Sequence, residues 1–234
     1  MLIEMPSELL TVVVPVLNEK TRLATLTSHI NSLHCPVIVV DGGSTDGTYE
    51  KLRSAAAPHI EVTHTTCGRA LQMNFGASMA GTPFLLFLHA DTLLPPDGVL
   101  LAVDALTNSG TTWGRFDVSF DEHALSLRTI AFFMNWRSAL TGICTGDQAI
   151  FTTAGTFGRV GQFKEIALME DIELSKRLKK TGTPARIRTP VVTAARRWQG
   201  NGVLRTVLTM WWIRLRYGLG TSPDVLAEYY KHAR

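Results

Sequence analysis

Cysteine is scarce in this chain of 234 residues, which carries only Cys35, Cys67 and Cys144. An odd, scattered set without Cys-x-x-Cys spacing excludes a disulfide framework and a cysteine-built zinc site. A reducing, cytoplasmic compartment is therefore expected. No uninterrupted apolar run reaches the roughly 20 residues needed to cross a bilayer. At the N-terminus, Glu4 and Glu8 break the apolar stretch and no basic segment precedes it, so no secretory signal is expected. Low-complexity tracts and internal repeats are missing too, which excludes disordered and solenoid chains. Acidic charge is scarce in the last quarter of the chain, and basic charge is outnumbered before it. Residues 1–175 hold 10 Lys/Arg against 18 Asp/Glu, and residues 176–234 hold 13 against 2. The net charge of +3 thus hides an acidic body and a basic C-terminal quarter. That quarter is either a solvated basic surface or the mark of an anionic partner such as a diphosphate, a membrane surface or nucleic acid.

What is present is ordinary globular material, 45% hydrophobic and 18% charged, at a length that suits one large α/β domain. Residues 11–16, 36–40 and 83–88 are continuous apolar or β-branched runs and predict buried strands, with a short strand at 60–64. Helical spacing over 21–33, 48–56 and 69–80 separates them. Strand–helix alternation with short connections predicts a doubly wound, mostly parallel sheet, in which ligands bind beyond the carboxyl ends of the strands. Those ends carry Asn18-Glu19, Asp41 and His89-Ala90-Asp91. Further on, helices are expected at 99–106, 125–140, 170–180, 203–219 and 224–232. Strands are expected at 113–120, 149–151, 184–187 and 191–195.

Three acidic clusters carry candidate chemistry. Asp41 precedes Gly42-Gly43-Ser44-Thr45-Asp46-Gly47 at a helix start. Its carboxylate either accepts from a nucleoside or holds the turn. Asp91 either caps a turn before Pro95-Pro96 or shares a divalent ion with a departing diphosphate. Neighbouring side chains on a helix point about 100° apart, so Glu170 and Asp171 meet different surroundings. One can take a proton from an acceptor while the other caps or orients. Arg69, at the start of the third helix, is a phosphate contact or a surface arginine.

In order, Val14-Pro15-Val16-Leu17-Asn18-Glu19, Val40-Asp41-Gly42-Gly43-Ser44-Thr45-Asp46-Gly47, Gly68-Arg69-Ala70 with Asn74, Phe87-Leu88-His89-Ala90-Asp91 and Glu170-Asp171 resemble the family-2 glycosyltransferases of the GT-A fold. The resemblance covers about residues 10–200. It implies an inverting, metal-dependent enzyme that moves one sugar from a nucleotide-diphosphate sugar, with a UDP-sugar favoured, to an unknown acceptor hydroxyl. It also implies roles. Pro15, Asn18 and Glu19 line the nucleotide pocket, Asp41 binds the base, and Arg69 lies near the nucleotide and diphosphate. Asp91 holds Mn²⁺ or Mg²⁺, with His89 where the family has a first Asp. Asp171 deprotonates the acceptor, beside Glu170. Arg197-Trp198 matches the end of a Gln-x-x-Arg-Trp motif whose Gln position is Ala194, so processive synthesis is not expected. Gly146-Asp147-Gln148 and the 170–174 helix resemble a subgroup of small bacterial members found beside radical-SAM or selenium-related proteins. There Asp147 would sit near the acceptor or donor sugar.

Residues 1–200 are expected to form the catalytic domain, with 201–234 a helical extension packed on it. Within 203–219, Leu204, Leu208, Trp211 and Leu215 form one stripe, with Arg205, Trp212 and Arg216 opposite. The stripe is read as the face that docks on the domain, leaving Trp212 partly exposed. A peripheral membrane contact or a dimer contact are the alternatives. Competing functions are a sugar nucleotidyltransferase and a catalytically silent nucleotide-sugar-binding protein. A nucleotidyltransferase lacks support because the first loop, Leu17-Asn18-Glu19-Lys20, has no glycines. No nucleic-acid-binding motif is present.

Overall fold

A computed structural model describes residues 6–108, 110–196 and 202–232. Strands β1 (Leu10–Val16), β2 (Val37–Asp41), β3 (Ile60–His64) and β4 (Phe84–Phe87) run parallel. They are joined by helices α1 (Leu23–Ser32), α2 (Thr48–Ala55) and α3 (Arg69–Met79). The sheet extends through β5 (Thr92–Leu93), β6 (Trp113–Phe120), β7 (Phe151–Thr153) and β8 (Ala185–Thr193). Its strand order is β3-β2-β1-β4-β7-β6-β8-β5. β7 is antiparallel to both β4 and β6, β8 is parallel to β6, and β5 is antiparallel to β8.

The sheet is covered on both faces, which is why β1 reads as an unbroken apolar run. Val12, Val14 and Val16 enter one core with Leu26, Ile30 and Leu52, whereas Val13 enters the other with Met73, Phe87 and Leu174. Each such fully buried aliphatic side chain stabilises the fold by about 1.5–3 kcal/mol. The remaining helices are α4 (Gly98–Asn108), α5 (Leu125–Thr141), α6 (Ala154–Arg159), α7 (Glu170–Leu178), α8 (Val203–Gly218) and α9 (Pro223–His232). This is the expected α/β architecture, with a mostly parallel sheet and C-terminal helices.

Two local readings are corrected. One nine-residue strand, Ala185–Thr193, takes the place of the two expected at 184–187 and 191–195. Pro190 is tolerated because it falls at a register irregularity between the Phe116–Ile187 and Val118–Val191 pairs, and the exposed Arg186 spans to Asp117 on β6, at 2.8 Å. β6 is buried along both faces, Arg115 and Asp117 included, because α5 covers it. There Asn135 accepts from the Val118 N–H and donates to its carbonyl. On α8, Leu208, Trp211 and Leu215 do not dock: they are 59%, 71% and 62% exposed. Ile213 turns inward instead, against Met169, Ile172 and Leu226. Trp212 is partly exposed as expected, with its ring 4.4 Å from that of Tyr229 on α9.

Candidate active site

The carboxyl ends of β1 and β2 hold two loops stitched to each other. Asn18 donates its N–H to the Ser44 hydroxyl (2.8 Å), and its side-chain oxygen accepts from the Thr45 N–H (2.9 Å). The N–H groups of Glu19 and Lys20 reach Thr48 and Asp46, each at 3.0 Å. Pro15 pairs with Val40 just below. Asp41, 2% exposed, accepts from the N–H groups of Gly43 and Ser44 at 2.8 Å each and from the Ser44 hydroxyl. It therefore does hold the turn, and those three bonds leave about one of an ionised carboxylate's four acceptor positions for a ligand. Beneath the loops, buried Gln72 donates to the carbonyls of Val16 and Val40, both at 2.8 Å. Only glycine fits at 42 above it, since a Cβ there would lie 2.9 Å from the Gln72 amide. Gln72 carries no signal in a helix read by its apolar spacing.

β4 ends at the next loop, with His89 and Asp91. Because β7 runs antiparallel to β4, the segment entering β7 arrives at this same rim. That places Gly146-Asp147-Gln148, a short 3-10 turn, over His89. The His89 Nδ1 lies 3.3 Å from a carboxylate oxygen of Asp147. One ligand atom each from His89, Asp91 and Asp147 falls within 4.8 Å of the others, so the three can share a divalent ion. An imidazole with two carboxylates suits Mn²⁺ well, since imidazole is a poorer ligand for Mg²⁺. Glu19 approaches the trio from the β1 side. Burial first, then the negative charge of Asp91, raises its pKa. Its Oε2 is buried without a hydrogen-bond partner among the described residues.

Gly146 links this group to α7. Its N–H donates to Asp171 Oδ2 at 2.7 Å, and the Ile172 N–H donates to Oδ1 at 2.7 Å. A side chain at 146 would run into the His89 ring. Asp171 is pushed up to about 6, by burial first and then by the charge of Glu170. Glu170 itself is buried and accepts from Arg69 at 3.1 Å. Burial works against the Arg69 charge, but Glu170, Asp171, Asp147 and Asp91 together outweigh it and raise its pKa. Non-glycine residues with positive φ cost of order 1–3 kcal/mol and gather at functional sites. Here Asn18, Ala149 and Met169 do so, and each is a site residue or adjoins one.

The predicted site residues thus follow one rim: Asp41 is tied to Asn18 through Ser44, Glu19 feels the charge of Asp91, His89, Asp91 and Asp147 cluster, and Gly146 joins them to Asp171, beside Glu170 and Arg69. A cavity of about 1140 Å³ adjoins this rim, walled by Asp91, Asp147 and Arg196 and by side chains of α5 and α8. Asp41 and Asp171 do not line it; they join the rim through the bonds above. Arg197 and Trp198 lie outside the described residues. Asp147, read as a sugar contact, stands with the two candidate metal ligands. Its pairing depends on an antiparallel strand order that residue spacing does not encode.

A mannosyltransferase from Pyrobaculum calidifontis, in complex with GDP-Man and Mn²⁺, shares this fold with a TM-score of 0.68 and 21% identity. The match covers 97% of this chain and 71% of that one. S. aureus TarS 1–349 shares it in complex with UDP-GlcNAc, at TM-score 0.62 and 15% identity over 79% of this chain, and this chain spans 58% of its length. The same protein in complex with UDP gives 0.62 and 16%, over 79% of this chain and 60% of that one. No curated protein matches by sequence. The model of the family "Glycosyl transferase family 2" matches residues 11–166, more than half of the chain and every rim motif except the Glu170-Asp171 pair. With this match and an α/β rim built from the same motifs, the chain belongs to glycosyl transferase family 2, and the nucleotidyltransferase reading is set aside.

Proposed function

We propose that this enzyme moves one sugar from a nucleotide-diphosphate sugar to an acceptor hydroxyl, inverting the anomeric centre with the help of Mn²⁺ or Mg²⁺. One observation carries the reading: carboxylates distant in sequence meet along a single sheet rim, next to a large cavity. Pro15, Asn18, Glu19 and Asp41 take the nucleoside, with Asp41 offering its remaining acceptor position to a base N–H. A UDP-sugar is the favoured donor; the UDP, UDP-GlcNAc and GDP-Man of the similar structures support a nucleotide-sugar and leave the base to experiment. His89, Asp91 and Asp147 hold the ion, which when bound offsets charge developing on the leaving diphosphate. Arg69 and Arg196 add positive charge to that side.

Asp171 is the general base. Two backbone donors fix its carboxylate, and its pKa of about 6 leaves it ionised at neutral pH yet more basic than an ordinary aspartate. Glu170 keeps that pKa up and anchors Arg69. A single transfer fits better than polymer synthesis, given the broken Gln-x-x-Arg-Trp motif. Among the described residues no helix is long and apolar enough to cross a membrane. The exposed Leu208, Trp211 and Leu215, flanked by Arg205 and Arg216, suit a peripheral contact of a cytoplasmic enzyme with anionic lipid.

The test is a panel of UDP-, GDP- and other nucleotide-sugars incubated with Mn²⁺, with release of free nucleoside diphosphate as the readout. Turnover of one donor, lost on chelation, is expected. Binding without turnover that is indifferent to Asp171→Asn would instead identify a silent binding protein.

A further inference from the structure

Three consecutive residues of one short turn face three different neighbours. The Gly146 N–H holds Asp171 at 2.7 Å, Asp147 meets His89 at 3.3 Å, and Gln148 turns into the protein, toward α5 and β6. A single 3-10 turn has too few internal hydrogen bonds to hold a direction by itself. What aims Gly146 and Asp147 therefore comes from outside the turn. Ala149 follows at φ 45°, a backbone conformation that a non-glycine residue keeps only where its surroundings over-determine it.

Gln148 is fully buried. Its Nε2 donates to the Ser138 hydroxyl at 3.0 Å, with the Phe116 carbonyl and the Asn135 side-chain oxygen each at 3.4 Å. Its Oε1 accepts from the Thr145 N–H at 3.3 Å. These partners fix which way the amide points, since the Phe116 carbonyl can only accept and the Thr145 N–H can only donate. The anchor points are themselves held. Buried Arg115 pairs with Asp117 and donates to the carbonyls of Phe116 and Asn135, at 3.2 and 3.3 Å. From the other side, Ser175 lies one helical turn beyond Asp171 on α7. Its hydroxyl accepts from the Cys144 N–H at 3.3 Å and has the carbonyls of Cys144 and Asp171 at 3.1 and 2.7 Å. An amide at full burial gives up its bonds to water, so packing alone would favour an apolar side chain of this size at 148.

We propose that Gln148 is a positioning residue that registers the 146–148 turn on α5 and β6, so that one anchor sets both the ion ligand Asp147 and the carboxylate of Asp171. Gln148 touches neither ion nor substrate and acts through the two residues before it. What the inference says of turnover rests on the glycosyl-transfer reading; what it says of the turn does not. With the anchor gone, Gly146 no longer meets Asp171 and Asp147 no longer meets His89, so base alignment and ion affinity fall together.

The test compares the full chain with Gln148→Met, which keeps the volume and removes the amide, with Ser138→Ala, which removes one anchor bond, and with the double variant. Amide hydrogen exchange, followed by NMR with metal chelated, reads the turn directly. In Gln148→Met the Gly146 N–H is expected to exchange about ten-fold faster or more, while the amides of β1 and β4 keep their rates. Mn²⁺ affinity should fall by about ten- to a hundred-fold, the range for residues that support metal ligands. At saturating Mn²⁺ and the best donor, kcat should stay down by about ten-fold or more with the donor KM close to wild type, because the base is misaligned and the nucleotide loops are not. Ser138→Ala should move the same readouts less, and the double variant no further than Gln148→Met alone, since both remove one bond. Unchanged Gly146 exchange, unchanged Mn²⁺ affinity, or fully additive effects in the double variant would overturn the proposal. Faster exchange across the whole sheet would also overturn it and make Gln148 a packing residue. Faster exchange at Gly146 alone, in a chain that binds no Mn²⁺ and turns over no donor, would contradict the glycosyl-transfer reading and leave the anchoring of the turn by Gln148 standing.

Discussion

Asp171, proposed as the general base, is both oriented and perturbed by its surroundings. Its two oxygens accept from the N–H groups of Gly146 and Ile172, which fix its direction, while burial and Glu170 raise its pKa to about 6. Replacing it by Asn keeps the shape and removes the base. Turnover should fall by about two to four orders of magnitude with nucleotide binding unchanged; turnover within a few-fold of wild type would remove Asp171 from the role. The pH profile carries a sign. The carboxylate must be ionised to accept a proton, so kcat should rise with pH through an acid limb near pH 6. Glu170→Gln deletes the like charge and leaves Arg69 unpaired beside Asp171. Both changes favour the ionised form, so the limb should move to lower pH. A limb that moves up, or stays, would show that another group controls it.

At the scale of elements, the site depends on where short segments enter the sheet. β1, β2 and β4 were legible because strands buried on both faces are continuous apolar runs. The sequence alone therefore places the acidic residues at their ends on one rim. The pairing of Asp147 with His89 was not legible, because it needs β7 to run antiparallel between β4 and β6, and three residues of strand give no direction. β5 and α6 are likewise too short to show a period. The turn at Gly146 offers a test of the element. Gly146→Ala drives a methyl group into His89; overpacking of this kind costs about 1–3 kcal/mol. Mn²⁺ affinity and melting temperature should fall together, and normal values for both would show that the turn is free to move. On α8 the helical period was right and the docked face wrong. A stripe of Leu and Trp carries no information about which side meets the domain when Ile213 supplies an alternative. Ile213→Ala should destabilise by about 2 kcal/mol or more, and Leu215→Ala by no more than about 0.5 kcal/mol, as measured by denaturant unfolding. The reverse order would restore the original face.

Across the whole molecule, charge and apolar surface are sorted in the same direction. The acidic clusters gather at the rim, where a cation and a diphosphate would meet them. Arg205, Arg214 and Arg216 share α8 with its exposed apolar side chains. The measurement that bears most directly on this arrangement is Mn²⁺ binding in the presence of UDP or GDP, followed by electron paramagnetic resonance of the free ion, for wild type, Asp91→Ala and Asp147→Ala. One tight Mn²⁺ site per chain is expected, strengthened by nucleoside diphosphate and weakened at least ten-fold in each variant. Nucleotide binding that needs no ion, or an Mn²⁺ site indifferent to both substitutions, would contradict it.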